Sequence, residues 1–249
     1  MIERKAFFDA VRKAPFGGPL SQGQVSGMSA ILDEWERRPA FTDLRWLAYM
    51  LATTFHETAR KMTPIHEYGK ASYFEGRYGP GTSVGKVLGN TQPGDGNRFH
   101  GRGYVQLTGR RNYTLAGQKL GVNLVADPDR ALELSLAAAI MFLGMSEGWF
   151  TGKKLGDYIT ASRCDYTNAR RIINGTDKAA TIKGYTVAFE NALRGAWRAD
   201  LAPVLLPQAP ETVTTPPEPP TNSTPAPAES VTTPTPSGFW ARLWRWLVG

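Results

Sequence analysis

Between Ser21 and Trp35 the apolar positions Val25, Met28, Ile31, Leu32 and Trp35 recur at helical spacing, and Ser21 with Gln24 forms a capping-box pattern before them. Thr42 or Asp43 caps a second predicted helix with the stripe Leu44, Leu47, Ala48, Leu51 and Phe55. From 67 to 103 glycine, proline and tyrosine interrupt every period, which predicts loops with room for a short hairpin. Asp127-Pro128-Asp129 then opens a predicted helix from Ala131 to Trp149, with Leu132, Leu136, Ala139, Ile140 and Leu143 facing inward. Two more helices are expected, over 166–174 and from Ala179 to Arg198, the latter carrying Tyr185, Phe189, Ala192, Leu193 and Trp197. With no alternating strand–helix pattern and no internal repeat, the expected class is mainly α with a long central loop region.

Beyond residue 206 the pattern changes. Residues 207–237 hold ten prolines and eight threonines and no aromatic residue, a composition unable to offset its own ordering entropy. They are expected to form a disordered linker, extended by its prolines. The tail, 238–249, places Phe239, Trp240, Leu243, Trp244, Leu247 and Val248 on one side of a helical wheel and Arg242 and Arg245 on the other. Too short to span a bilayer, it is expected to be an amphipathic helix lying on an anionic membrane. Docking back on the preceding domain is the alternative. The domains expected are therefore 1–206, 207–237 and 238–249.

Charge adds a direction. The 249 residues carry a formal +7, and because 207–249 hold three glutamates against two arginines, residues 1–206 carry +8. A basic domain points to a polyanionic partner: nucleic acid, an anionic membrane or an acidic wall polymer. Simple solubility is the plainer explanation. One cysteine, Cys164, excludes an intrachain disulfide framework and is read as a small buried residue. The first residues, Met1 to Asp9, carry acids where a signal peptide has an apolar run, so synthesis in the cytoplasm is expected.

Several chemistries can be set aside. His56-Glu57 starts like a zinc-protease helix, but the second ligand position holds Arg60. Only His56, His66 and His100 are available for a three-histidine site, and Gly101-Arg102-Gly103 matches neither a dinucleotide fingerprint nor a P-loop. No metal and no cofactor are expected. Glycosidic hydrolysis, by contrast, needs only two carboxyl groups flanking the bond, one protonated and one ionised. Glu57 falls off the core stripe of its helix, beside Trp46 and Met50, where desolvation would raise its pKa toward that of a general acid. A solvated glutamate in a last helical turn is the plainer reading of the same wheel. A second carboxylate would come from the following loop, Glu67 or Glu75, and spacing does not choose between them.

Four motifs in order, Phe55-His56-Glu57-Thr58, Pro64-Ile65-His66-Glu67, Gly101-Arg102-Gly103-Tyr104-Val105-Gln106-Leu107-Thr108-Gly109 and Arg171-Ile172-Ile173-Asn174-Gly175, resemble glycoside hydrolase family 19. That family holds chitinases and many phage endolysins, and the Pro15-Phe16-Gly17-Gly18 and Asp127-Pro128 segments look most like the endolysin branch. The resemblance implies a lysozyme-like fold with a deep sugar cleft and an inverting mechanism. It makes Glu57 the general acid and Glu67 the base, with Glu75 as the alternative base. Thr108 would help hold the attacking water, and His56, Tyr104, Gln106, Asn112 and Asn174 would contact sugar. Two departures stand out: Ala59-Arg60 replaces the two glycines usual in chitinases, and Ile182-Lys183 stands where an arginine often orients the acid. The expected function is that of an endolysin cutting the β-1,4 glycan backbone of peptidoglycan, with a chitinase or a non-catalytic wall- or membrane-active protein as alternatives. As such it would act as a monomer on glycan strands in the periplasm or wall after holin-type release from the host cytoplasm, without nucleic acid.

Overall fold

The structure, a computed structural model, describes residues 1–198. The expected linker 207–237 and tail 238–249 lie outside the described residues. Helix α1 (Arg4–Val11) is capped by the Glu3 carboxylate, which accepts from the Lys5 and Ala6 amides. After a kinked turn, Arg12–Phe16, α2 (Gln22–Glu36) begins with the complete Ser21/Gln24 capping box. Asp43 is the cap of α3 (Leu44–Glu57), accepting from the Arg45 amide. The mainly helical expectation is met, and no helix among the described residues is long and apolar enough to cross a membrane.

Helix α3 is the centre of the molecule. Every residue from Leu47 to His56 is buried, far more than one stripe, because α9 (Ala179–Ala196) runs along it and α2 packs nearby. The main core joins Phe7, Met28, Ile31, Leu51 and Phe55 to Met141, Phe142, Phe189 and Leu193. Helix α1 closes this core from the N-terminal side, the Glu3 amide donating to the Ala196 carbonyl across the chain.

The central segment differs from the loops expected. It contains α4 (Ala71–Tyr78), α5 (Ser83–Val87) and α6 (Asp95–Arg98), framed by a two-residue antiparallel pair, β1 (Ile65–His66) with β2 (Arg102–Gly103). These helices are too short to show a period, yet Phe74, Tyr78 and Leu88 give them a small apolar cluster of their own. A second cluster, around Phe99, Leu107, Tyr113 and Ile140, seats α7 (Arg110–Leu120) beside α8 (Leu134–Glu147). The helix expected over 131–149 is thus divided: a 3-10 turn, Pro128–Leu132, precedes α8, and Gly148 ends it in a left-handed conformation. The helix expected over 166–174 is only a 3-10 turn, Asn168–Ile172. Cys164 is exposed on β4 (Arg163–Cys164), which pairs with β3 (Ile159–Thr160), so the buried cysteine expected is corrected.

Candidate active site

A cleft of about 540 Å³ opens between the end of α3, the β1 strand and the start of α9. Its walls include His56, Glu57, His66, Glu67, Gln106 and Lys178, so two of the three candidate carboxylates meet in one cavity. They arrive by different routes. Glu57 is the last residue of α3, carried to the cleft by a helix that burial holds on all sides. Glu67 follows β1, whose register pairs Ile65 with Gly103 and His66 with Arg102; one step on, the Glu67 amide donates to the Gly101 carbonyl at 2.7 Å.

That register explains Gly101. A Cβ built there would lie 2.7 Å from Gln106 Oε1, 3.1 Å from Glu67 Oε2 and 3.2 Å from Thr108 Oγ1. Three functional tips therefore converge on one backbone position, which only glycine leaves open. Glu67 is 7 % exposed; Tyr78 donates its phenol to Oε1 at 2.7 Å and the Gly101 amide donates to Oε2 at 3.1 Å. Burial holds the Glu67 carboxyl above the usual glutamate range, while the bonds from Tyr78 and Gly101 and the charge of Arg77 pull the other way.

Glu57 has a partner that the sequence reading missed. Arg170, 1 % exposed in the 3-10 turn, donates through Nη1 to Glu57 Oε1 at 2.5 Å, and the Glu57 side chain is 7 % exposed. The environment of Glu57 is therefore a buried ion pair rather than the apolar setting expected from Trp46 and Met50. An arginine does face the acid position, but from Arg170 instead of the 182–183 region. No signal in the chain marks it: Arg170 stands beside a second arginine, Arg171, and its carboxylate is 113 residues away.

Other candidates fall in different places. His56 lines the cleft, and burial lowers its pKa to about 4, so the ring is neutral near neutral pH. Gln106 lines the cleft too, its Nε2 donating to the Ile65 carbonyl at 3.3 Å. Thr108 lies behind it, its hydroxyl donating to the Gln106 carbonyl at 2.8 Å, and Asn112 in turn donates to the Thr108 carbonyl at 2.8 Å. Tyr104 is corrected: it is fully buried in the main core, its phenol donating to the Gly27 carbonyl, and it does not line the cleft. Asn174 is buried as well, accepting from the Gly175 amide, outside the cleft wall. Glu75 sits elsewhere, accepting from the Gly94 and Asn97 amides and so tying α4 to α6.

His66 and His100 meet as a pair, and among the described residues no group of three or more His, Cys, Asp or Glu could hold a metal ion. His100 Nδ1 meets the Asn97 carbonyl, which can only accept, so that nitrogen carries the proton. Burial lowers the His100 pKa, and the neutral ring then accepts at Nε2 from His66 Nδ1, 3.1 Å away. His66 is itself a wall of the cleft.

Backbone strain marks the same cavity. Among the described residues five non-glycine positions have positive φ: Ala59, Arg60, Met62, Gln106 and Lys178. All but Met62 line the cleft. Such conformations cost about 1 kcal/mol or more each and persist where a site uses them.

With this geometry in place, the comparisons with known proteins become specific. Residues 39–157 match the family model described as chitinase class I, the family 19 glycoside hydrolases. The matched segment belongs to glycoside hydrolase family 19. It takes in Glu57, Glu67, Gly101, Gln106 and Thr108, whereas Arg170 and α9 lie beyond it. The acidic 27 kDa endochitinase of Solanum lycopersicum is 36 % identical over 104 residues, 39 % of this chain and 42 % of that protein. The acidic endochitinase pcht28 of Solanum chilense is 38 % identical over 79 residues, 31 % of each chain. The chain thus spans less than half the length of these curated relatives. Chitinase C from Streptomyces griseus HUT6037 shares the fold, with a TM-score of 0.54 over 78 % of this chain and 76 % of that one at 18 % identity.

Proposed function

We propose that this protein is a glycoside hydrolase that cleaves β-1,4-linked N-acetylhexosamine strands by inversion, and that its substrate is the glycan backbone of peptidoglycan. The observation that carries the reaction is the meeting of two buried carboxylates, Glu57 and Glu67, in one cleft. Glu57 is the general acid that protonates the leaving oxygen, and Glu67 is the base that takes a proton from water on the opposite face. Burial makes Glu67 a stronger base than a solvated glutamate. Thr108, gathered with Glu67 around Gly101, helps to hold that water. Tyr185, packed edge-on against Phe55, and the exposed ring of Tyr68 supply apolar faces for sugar rings along the same wall.

The preference for peptidoglycan rests on charge. Residues 1–206 carry +8, and a cationic enzyme gains from an acidic polymer what it cannot gain from neutral chitin. An endolysin role in host lysis follows from that substrate and from the endolysin-like Pro15-Phe16-Gly17-Gly18 segment. The names of the plant relatives favour the second reading, a chitinase acting on chitin oligomers. Mass spectrometry of fragments released from purified sacculi decides between them. New reducing ends on the glycan, abolished by Glu57→Gln, are expected. Intact sacculi beside rapidly cleaved chitin oligomers would transfer the assignment to chitin. Wall disruption that persists in Glu57→Gln would mean a binder rather than an enzyme.

A further inference from the structure

Arg60 and Lys178 both line the cleft, one just beyond α3 and the other at the start of α9. Both hold left-handed backbone, at φ 68° and 56°. Neither is ion-paired to a carboxylate among the described residues. The Arg60 guanidinium donates to the Pro15 and Phe16 carbonyls, at 3.3 and 2.8 Å, and lies over the Phe55 ring. Lys178 is exposed and makes no side-chain hydrogen bond with the described residues. Glycine would adopt either backbone without strain. The two carbonyls and the Phe55 ring offset part of that strain at Arg60, whereas no contact of the Lys178 side chain with the described residues offsets it there.

We infer that Arg60 and Lys178 form a cationic clamp for the stem-peptide carboxylates of peptidoglycan, flanking the bond to be cleaved and setting the selectivity of the cleft for an acidic glycan. The clamp rests on the peptidoglycan reading above and deepens it. Neutral chitin offers nothing for these two charges, whereas a peptide-bearing strand carries a carboxylate beside alternate sugars. The guanidinium held by carbonyls and ring is fixed in direction, which lowers the entropy lost on binding. The free ammonium of Lys178 adapts to the variable peptide.

The test compares purified sacculi with sacculi whose carboxylates have been amidated by carbodiimide and methylamine, reading soluble reducing ends at low substrate. Amidation should slow the wild-type protein about tenfold, the scale of two exposed charge pairs. Lys178→Asn combined with Arg60→Gly, residues that accept left-handed backbone, should be slow on both preparations and indifferent to amidation. Lys178→Arg should keep much of the amidation sensitivity that Lys178→Asn loses, and Lys178→Gly should keep or raise Tm. An amidation effect undiminished in the double variant would overturn the clamp, as would wild-type turnover unaffected by amidation; both leave the peptidoglycan reading standing. Wild-type protein inert on either preparation yet active on chitin oligomers would overturn that reading itself, and the clamp with it.

Discussion

Arg170 and Glu57 lie 113 residues apart in sequence and 2.5 Å apart in space, each almost wholly removed from water. The pair pins the end of α3 to the 3-10 turn that leads into α9, so the carboxylate enters the cleft in one orientation. Breaking a buried pair from one side leaves the other charge uncompensated. Arg170→Met should therefore cost about 3–5 kcal/mol in urea unfolding. Adding Glu57→Gln to it should cost less than the sum of the single losses, because the stranded carboxylate is gone. Strict additivity in the double-mutant cycle would mean that the two side chains are independent in solution.

How much of this was legible in the chain follows from the length of each element. Helices α2, α3 and α9 are long enough to show a period, and Ser21 and Asp43 mark two of their starts as expected. Helices α4 to α6 are eight, five and four residues long, too short for any stripe to emerge from glycine-rich surroundings. Helix α1 has only Phe7 and Val11 as buried anchors, and α7 buries Asn112 and Tyr113 among polar neighbours. At the site, Glu57 and Glu67 could be named only through the ordered motifs, since the helical wheel and the spacing left a solvated Glu57 and the choice between Glu67 and Glu75 open. Arg170 and Tyr78 could not, since each works through a contact made only by the tertiary fold. Tyr104 illustrates the opposite error: motif position suggested a sugar contact, and packing made it core.

Gly101→Ala tests the convergence of Gln106, Glu67 and Thr108. The new methyl would meet side-chain tips rather than backbone, at 2.7, 3.1 and 3.2 Å. Those tips can give way, so the stability loss should stay within about 1–3 kcal/mol. Displacing the base and its neighbours should nevertheless cost about a hundredfold in kcat. Activity that falls only in proportion to the fraction unfolded would show that the tips need no precise placement.

The acid limb of the pH–rate profile reports the base. Glu67 must be ionised to act, and burial raises its pKa, so activity should be lost on acidification at a pH above the ordinary glutamate value. Tyr78 stabilises the ionised form by donating to Oε1. Tyr78→Phe removes that bond and should move the limb further toward neutral pH, with the basic limb unmoved. A limb unchanged by the substitution would take the base role away from Glu67.

His56 makes a prediction about stability rather than rate. Its folded-state pKa is lowered to about 4 from 6.5, chiefly by burial, so the unfolded chain binds the proton first as pH falls. The sign is then fixed: stability is full above pH 6.5, declines as pH drops below that value, and stops declining near 4. Between pH 7 and 5 this one ring should cost about 2 kcal/mol of unfolding free energy. Gln in place of His56 takes up no proton, so in His56→Gln the unfolding free energy should fall less over the same interval by that amount. The difference between the two proteins is the quantity to measure, since every other titrating group is common to both. A wild type and variant that lose stability in parallel from pH 7 to 5 would show that His56 takes up its proton in the folded state as readily as in the unfolded chain, with the ring wetter than its place in the cleft wall indicates.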